Sequence, residues 1–215
     1  MVLISGRLQV IADMVAYDTL VDVGSDHALL PISLLIDGRI KQAISADIAS
    51  SPLERGRANA IKHGVAEKLN FMLSNGLEKV APGFETCVIA GMGGESIMHI
   101  LRNYLSFALT FKQLILSPQR DVADVRRFLH THGFKIANEV MLAENGKFYN
   151  ILDCSPGVQS AYTEHSYIFG HHLISRKCPV LKQYIENEIE KFTRFGVDRH
   201  IDYLTLCKEV LACIK

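Results

Sequence analysis

From about residue 7 to about residue 154, short apolar runs alternate with longer amphipathic stretches, and no other feature of the sequence restricts the fold as strongly. The runs at 20–23, 43–46, 69–73, 87–90 and 114–116 have the length of strands, and the stretches at 28–36, 53–63, 96–105 and 123–132 carry a helical pattern. Strands that each hand over to a helix are buried on both faces, and right-handed crossovers then wind them into a parallel sheet covered on two sides. The expectation is an α/β, doubly wound, Rossmann-like sheet.

The alternation ends at residues 134–143 and 148–154, two strand-like runs separated only by Glu144-Asn145-Gly146-Lys147. Asn-Gly between such runs predicts a hairpin. A parallel sheet closed by an antiparallel hairpin is the layout of Rossmann-like class I methyltransferases, although edge hairpins also occur in other α/β folds. Ser155-Pro156-Gly157 is turn chemistry, so a boundary is expected there, with one domain over 1–156 and a linker plus helical hairpin, or coiled coil, over 157–215. In that tail Pro179 fits the first turn of a helix striped by Leu181, Ile185, Ile189 and Phe192. Gly196 is expected to end it, and Asp198 to cap a second helix carrying Ile201, Leu204, Leu211 and Ile214.

The first strand runs into Asp22-Val23-Gly24-Ser25-Asp26-His27-Ala28, a strand-to-helix turn of the kind that meets nucleotide-like ligands. Of the dinucleotide fingerprint only Gly24 is kept, and Asp26 stands where a second glycine lets a pyrophosphate approach. A carboxylate there repels a dianion and disfavours NAD and FAD. S-adenosylmethionine, which carries a sulfonium and an ammonium, tolerates it; an ordinary tight turn is the plainer alternative. Asp47 ends the second strand about twenty residues farther on, where a carboxylate accepts ribose hydroxyls or, alternatively, caps a helix. Asn75-Gly76 follows the third strand, as an adenine contact or simply a turn. Ala90-Gly91-Met92-Gly93-Gly94 follows the fourth, and its crowded glycines point to close backbone approach by a ligand, with Met92 packing on a base or filling the core.

The runs Asp22-Val23-Gly24-Ser25-Asp26-His27-Ala28-Leu29-Leu30-Pro31 and Ile89-Ala90-Gly91-Met92-Gly93-Gly94, with Arg7-Leu8 ahead of them, resemble the bacterial TrmK family of tRNA (adenine(22)-N1)-methyltransferases. The resemblance spans nearly the whole chain, because those enzymes also carry a C-terminal helical coiled coil. It departs at Leu29, where an aromatic is common, at Asn75, where an acidic residue is frequent, and at Ser117-Pro118-Gln119, where Gln-Pro-Asn is expected. It implies an S-adenosyl-L-methionine-dependent enzyme that methylates N1 of adenine 22 in tRNA. The implied cofactor contacts are Asp22, Gly24, Asp47, Ile48, Asn75, Gly76, Ala90, Gly91, Met92 and Gly93.

Methylation of adenine N1 needs in-line positioning and a dry site more than it needs a strong base. The product base is cationic, so a carboxylate beside it stabilises developing charge or takes a proton from the amine; Asp26 is the expected residue, with His27 orienting it, holding the substrate or acting only structurally. Arg7, Arg176, Lys177, Lys182 and Arg194 are expected to meet tRNA phosphate, the alternative for the tail being a solvated face interleaved with Glu186, Glu188 and Glu190.

Composition excludes several other classes. Lys and Arg number 23 against 23 Asp and Glu, and 48% of residues are hydrophobic, which is globular rather than disordered or membrane composition. Cys87, Cys154, Cys178, Cys207 and Cys213 are scattered without a CxxC and read as reduced intracellular thiols. The pairs His130/His132 and His171/His172 lack partners at ligand spacing, so no metal is expected. With neither a signal-peptide pattern at the N-terminus nor a membrane-spanning apolar stretch, the expected location is the cytoplasm, and the oligomeric state is open. Two rival readings remain: a methyltransferase acting on a small molecule or protein, and a cofactor-binding interaction protein without catalysis.

Overall fold

The structure, a computed structural model, describes residues 4–195 and 201–214. Its elements run α1 (Gly6–Met14), β1 (Thr19–Val23), α2 (Leu29–Ile36), β2 (Gln42–Asp47), α3 (Ser50–Lys62), a single 3-10 turn (Ala66–Lys68), β3 (Leu69–Leu73), β4 (Thr86–Ala90), α4 (Gly94–Asn103) and α5 (Leu105–Ala108). They continue with β5 (Gln113–Ser117), α6 (Val122–Thr131), β6 (Phe134–Glu144), β7 (Lys147–Pro156), α7 (Glu164–Phe169), α8 (His171–Ser175), α9 (Pro179–Phe195) and α10 (Ile201–Ile214). Gly196 and Asp198 lie outside the described residues.

The seven strands form one sheet in the order β3-β2-β1-β4-β5-β7-β6. Strands β1 to β5 are parallel, and β7 enters antiparallel between β5 and β6. This is the Rossmann-like methyltransferase sheet. Its closing hairpin turns on two residues only, because Glu144 and Lys147 are themselves paired. Asn145 and Gly146 have φ of 51° and 74°, the left-handed pair that a tight turn between right-twisted strands requires.

The central strands are buried on both faces, and the side chains alternate between two cores with the period of a strand. Val21, Cys87, Ile89, Leu114 and Leu116 pack toward α4 and α6. Leu20, Val88 and Ile115 pack toward α1, α2 and α3. Asp22 shares the face of Leu20, so a carboxylate stands at the end of an otherwise apolar row. Helix α1, which the pattern of runs did not anticipate, is capped by Ser5, whose hydroxyl accepts from the Leu8 N–H at 3.3 Å, and buries Ile11 and Ala12.

In the tail, residues 157–163 carry neither helix nor strand, and α7 to α10 follow. Helices α9 and α10 form the helical hairpin, and Leu181 and Ile185 of one share a core with Cys207, Val210 and Ile214 of the other. Met141 of β6 belongs to the same core, so the hairpin sits on the outer strand of the sheet. Arg126 of α6, fully buried, ties the two regions together. Its Nε donates to Glu139 Oε1 at 2.6 Å, and its Nη1 to the carbonyls of Tyr167 and Ile168 at 2.8 and 3.0 Å. Helices α7 and α8 went unread in the sequence because they are one to two turns long and owe their place to these contacts rather than to a periodic stripe.

Candidate functional site

Two cavities open at the carboxyl ends of the parallel strands, where open α/β sheets bind ligands. The larger, about 560 Å³, is lined by Val23, Gly24, Asp47, Ile48, Ser74, Asn75, Gly76, Met92 and, from α4, Glu95, Ser96, His99 and Ile100. The smaller inner cavity, about 190 Å³, is lined by Arg7, Leu8, Asp22, Gly24, Ser25, Asp26, Leu29, Leu30, Ala90, Gly91 and Gln119. Gly24 is common to both. Its φ of +76° and the 2.7 Å that a Cβ there would leave to Met92 Cε explain why this residue of the turn is a glycine.

The structure therefore brings Asp22, Gly24, Asp47, Ile48, Asn75, Gly76, Ala90, Gly91 and Met92 into the walls of two adjoining cavities. Gly93 lies in neither wall. A Cβ on it would meet Arg120 Nε at 2.9 Å, and one on Gly94 would meet the Arg120 carbonyl oxygen at 2.7 Å. These two glycines let the loop after β4 lie against the loop after β5, and the Gln119 and Gly94 N–H groups donate to the Met92 and Arg120 carbonyls across that contact at 3.0 and 3.1 Å.

Asp47 lies in the wall of the larger cavity, just ahead of α3. Its Oδ1 accepts the Ala49 N–H at 2.9 Å ahead of α3, and Oδ2 has no hydrogen bond among the described residues. Ile48 beside it is 71% exposed, an apolar side chain held out at the cavity mouth. In the inner cavity Asp22 is 7% exposed, and burial pushes its carboxyl up to about 6 against the lowering influences of a Ser25 hydrogen bond and the Arg7 charge. Arg7 is not on an outer surface. Its Nη1 is buried without a hydrogen-bond partner, and its guanidinium lies 5.2 Å from the centroid of the Tyr149 ring. An orphaned guanidinium nitrogen and a buried carboxylate in one small cavity form a zwitterionic cradle that a ligand with both charges would satisfy.

Asp26 also lines the inner cavity but is exposed, and Arg55 Nη2 donates to its Oδ1 at 2.8 Å. That hydrogen bond holds its carboxyl below the usual range and keeps it ionised. His27 Nε2 lies 3.5 Å from Asp26 Oδ2 and is in neither cavity wall, a placement that suits orienting Asp26. His27 and Ala28 take successive φ values of 63° and 52°, a strained link of about 1–2 kcal/mol per residue just where the turn enters α2. Asn59 holds it by donating to the His27 carbonyl at 3.0 Å.

Several wall residues escaped the sequence reading. Glu95, Ser96, His99 and Ile100 recur at helical spacing on the first turns of α4, a legible face once Gly94 is known to start the helix. The tail cations are engaged locally. Arg176 donates from Nε to the His172 carbonyl at 3.1 Å and from Nη2 to the Glu139 carbonyl, which gives it a structural task. Lys182 lies 4.0 Å from Glu186, Arg194 lies 2.7 Å from Glu190, and Lys177 is exposed at the end of α8. Among the described residues no cluster of His, Cys, Asp and Glu could hold a metal ion, and no helix is long and apolar enough to cross a membrane.

The profile of the TrmK family, described as tRNA (adenine(22)-N(1))-methyltransferase, matches residues 20–204. The chain is 31% identical over 160 residues to the tRNA (adenine(22)-N(1))-methyltransferase of Bacillus subtilis (strain 168), an alignment covering 74% of this chain and 67% of that protein. Its structure is similar to that of a Streptococcus pneumoniae protein solved in complex with S-adenosyl-L-methionine, with a TM-score of 0.92, 37% identity, and coverage of 97% of this chain and 100% of that one. It is also similar to the B. subtilis M1A22 tRNA methyltransferase TrmK, with a TM-score of 0.87, 25% identity, and coverage of 98% and 100%.

Proposed function

Because the chain belongs to the TrmK family of tRNA (adenine(22)-N1)-methyltransferases, we propose that it transfers a methyl group from S-adenosyl-L-methionine to N1 of adenine 22 in tRNA. The observation that carries this reading is the pair of cavities meeting at Gly24, one suited to an adenosine and the other to a zwitterionic amino acid. The cofactor supplies a methyl group already activated on a sulfonium. In the larger cavity Asp47 accepts from the ribose through its unengaged Oδ2, and Ile48, Met92 and Asn75 surround the adenine. In the inner cavity Asp22 faces the ammonium and Arg7 the carboxylate. Glycines at 24, 76 and 91 leave room in the walls, and Ala90 stays small for the same reason.

Asp26 is assigned an electrostatic part. A carboxylate kept ionised by Arg55 is a weak base, so it stabilises positive charge growing on the target adenine rather than removing a proton. His27 positions it. Phosphate contacts from the tail are assigned to Lys177, Lys182 and Arg194 rather than to Arg176, whose guanidinium holds backbone carbonyls. The tail over 157–215 is proposed as a unit distinct from the methyltransferase domain over 1–156, and the proposed setting is the cytoplasm.

Mass spectrometry of nucleosides from unmodified tRNA, incubated with protein and cofactor, tests the reading. The expected product is 1-methyladenosine at position 22, and absence of a methylated adenosine would refute it. Asp47→Ala is expected to weaken S-adenosyl-L-methionine binding by roughly ten- to a hundredfold, the worth of about 1.5–3 kcal/mol of charged hydrogen bonding, as read by calorimetric titration. Parental affinity would remove Asp47 from the ribose site.

A further inference from the structure

A third cavity, about 420 Å³, lies between the turn of the β6–β7 hairpin and α9 and is lined by Gln119, Gly146, Lys147, Phe148, Tyr149 and Tyr184. We propose that this cavity takes up the target purine of the substrate RNA, with Tyr149 as its stacking platform and Gln119 as the reader of its edge; the proposal rests on the functional reading above.

Three observations lead there. The lining chemistry is that of a nucleotide: aromatic faces for a base, an amide that both donates and accepts for an N6/N7 edge and so leaves N1 free to attack, and the exposed ammonium of Lys147 for a phosphate. Gln119 lines the inner cavity as well, so this space adjoins the one assigned to the amino-acid end of the methyl donor. Its backbone N–H, donating to the Met92 carbonyl at 3.0 Å, fixes it to the loop that walls the larger cavity. Arg7 links the two spaces, since it lines the inner cavity while its guanidinium lies over the Tyr149 ring at 5.2 Å. A base stacked on Tyr149 would thus stand beside the inner cavity, with its N1 edge free to face the donor and Asp26 across the space that the two cavities share at Gln119.

The far wall comes from the tail. Tyr184 of α9 meets Phe148 of β7 edge-on at 5.3 Å and 72°, and its hydroxyl is 3.2 Å from that of Tyr203 on α10. The tail therefore shapes the base site itself, in addition to any grip it has on phosphates farther out.

The test uses the full chain with two RNAs, an unmodified tRNA and the same tRNA abasic at the target position, and the variants Tyr149→Leu, Gln119→Ala and Tyr184→Leu. At saturating cofactor the single-turnover rate of methyl transfer is expected to fall roughly ten- to a hundredfold in Tyr149→Leu, the worth of one base–aromatic stack. The parent should bind the adenine-containing RNA more tightly than the abasic one, and that preference should collapse in Tyr149→Leu and shrink in the other two. A purely structural loss would weaken both RNAs alike. Parental rates and parental preference in Tyr149→Leu and Gln119→Ala would overturn the proposal. If Tyr149→Leu does not fold, Gln119→Ala, altered only at an exposed side chain, decides by the same two readouts. A parent that methylates no tRNA would instead defeat the functional reading, and its preference for adenine over the abasic site would still report on the cavity.

Discussion

Arg126→Met is expected to lower the free energy of unfolding by about 3–5 kcal/mol, the usual loss when one partner of a buried ion pair is removed. For a chain of this size that is a fall in melting temperature on the order of 10 °C. The Arg126 and Glu139 side chains are each 1% exposed, so no water replaces the 2.6 Å bond that Glu139 loses. The carboxylate keeps only the His172 N–H at 3.2 Å, and the carbonyls of Tyr167 and Ile168 lose their donor. Adding Glu139→Leu should recover part of the loss, because a buried pair replaced by apolar groups leaves no orphaned charge, but not the part that belongs to the two carbonyls. Denaturant unfolding followed by circular dichroism measures both variants. A loss below about 1 kcal/mol, the scale of an exposed pair, would show that Arg126 is not what holds the tail to the sheet.

Asp22→Asn is expected to weaken S-adenosyl-L-methionine binding by roughly a hundredfold or more, as expected when one member of a buried charge pair is truncated, while making the free protein more stable at neutral pH. The first effect rests on the proposed pairing of Asp22 with the cofactor's ammonium, and the second on a carboxyl raised from 3.8 to about 6 by burial. Between those two values the folded protein binds the proton more tightly than the unfolded chain does. The stabilisation it brings is therefore full below about pH 4 and is lost as pH rises through 6. Asparagine removes the buried charge, so above pH 6 the variant should be more stable by roughly 1–3 kcal/mol. On the proposed assignment the cofactor's ammonium would favour ionised Asp22, so parental affinity should rise from pH 5 to pH 7 and then level off, whereas the variant's profile should be flat over that range. Calorimetric titration across this series, with thermal melts at each pH, reads both. Equal affinity with equal pH dependence would take Asp22 out of the cofactor site.

Local pattern made much of this molecule legible. The parallel strands are visible as apolar runs because burial on both faces demands them in the four that lie inside the sheet, and Asn145-Gly146 marks the hairpin because two successive left-handed residues need those side chains. Gly24 and Asp47 are recognisable as cavity residues because the ends of neighbouring parallel strands fix where a turn glycine and a strand-end carboxylate stand relative to each other. Each of these signals lies within a few residues, or within one βα unit, and chain geometry alone sets the spacing.

The tertiary structure decided whatever depended on pairing across elements. Arg7 reads as a surface cation until α1 packs beneath the sheet and turns it toward Asp22 and Tyr149. Gly93 and Gly94 read as ligand-facing until the loop after β5 is laid against them, and Asp26, which the sequence leaves between stabilising charge and taking a proton, gains its Arg55 partner at 2.8 Å only when α3 packs beside the turn. Arg126 gathers Glu139, Asn150, Tyr167 and Ile168 from three other elements, none at a spacing that betrays it. Repeating patterns record which face of an element is buried, whereas the partner of a buried charge is chosen only when distant segments meet and one unpaired group must be satisfied by another.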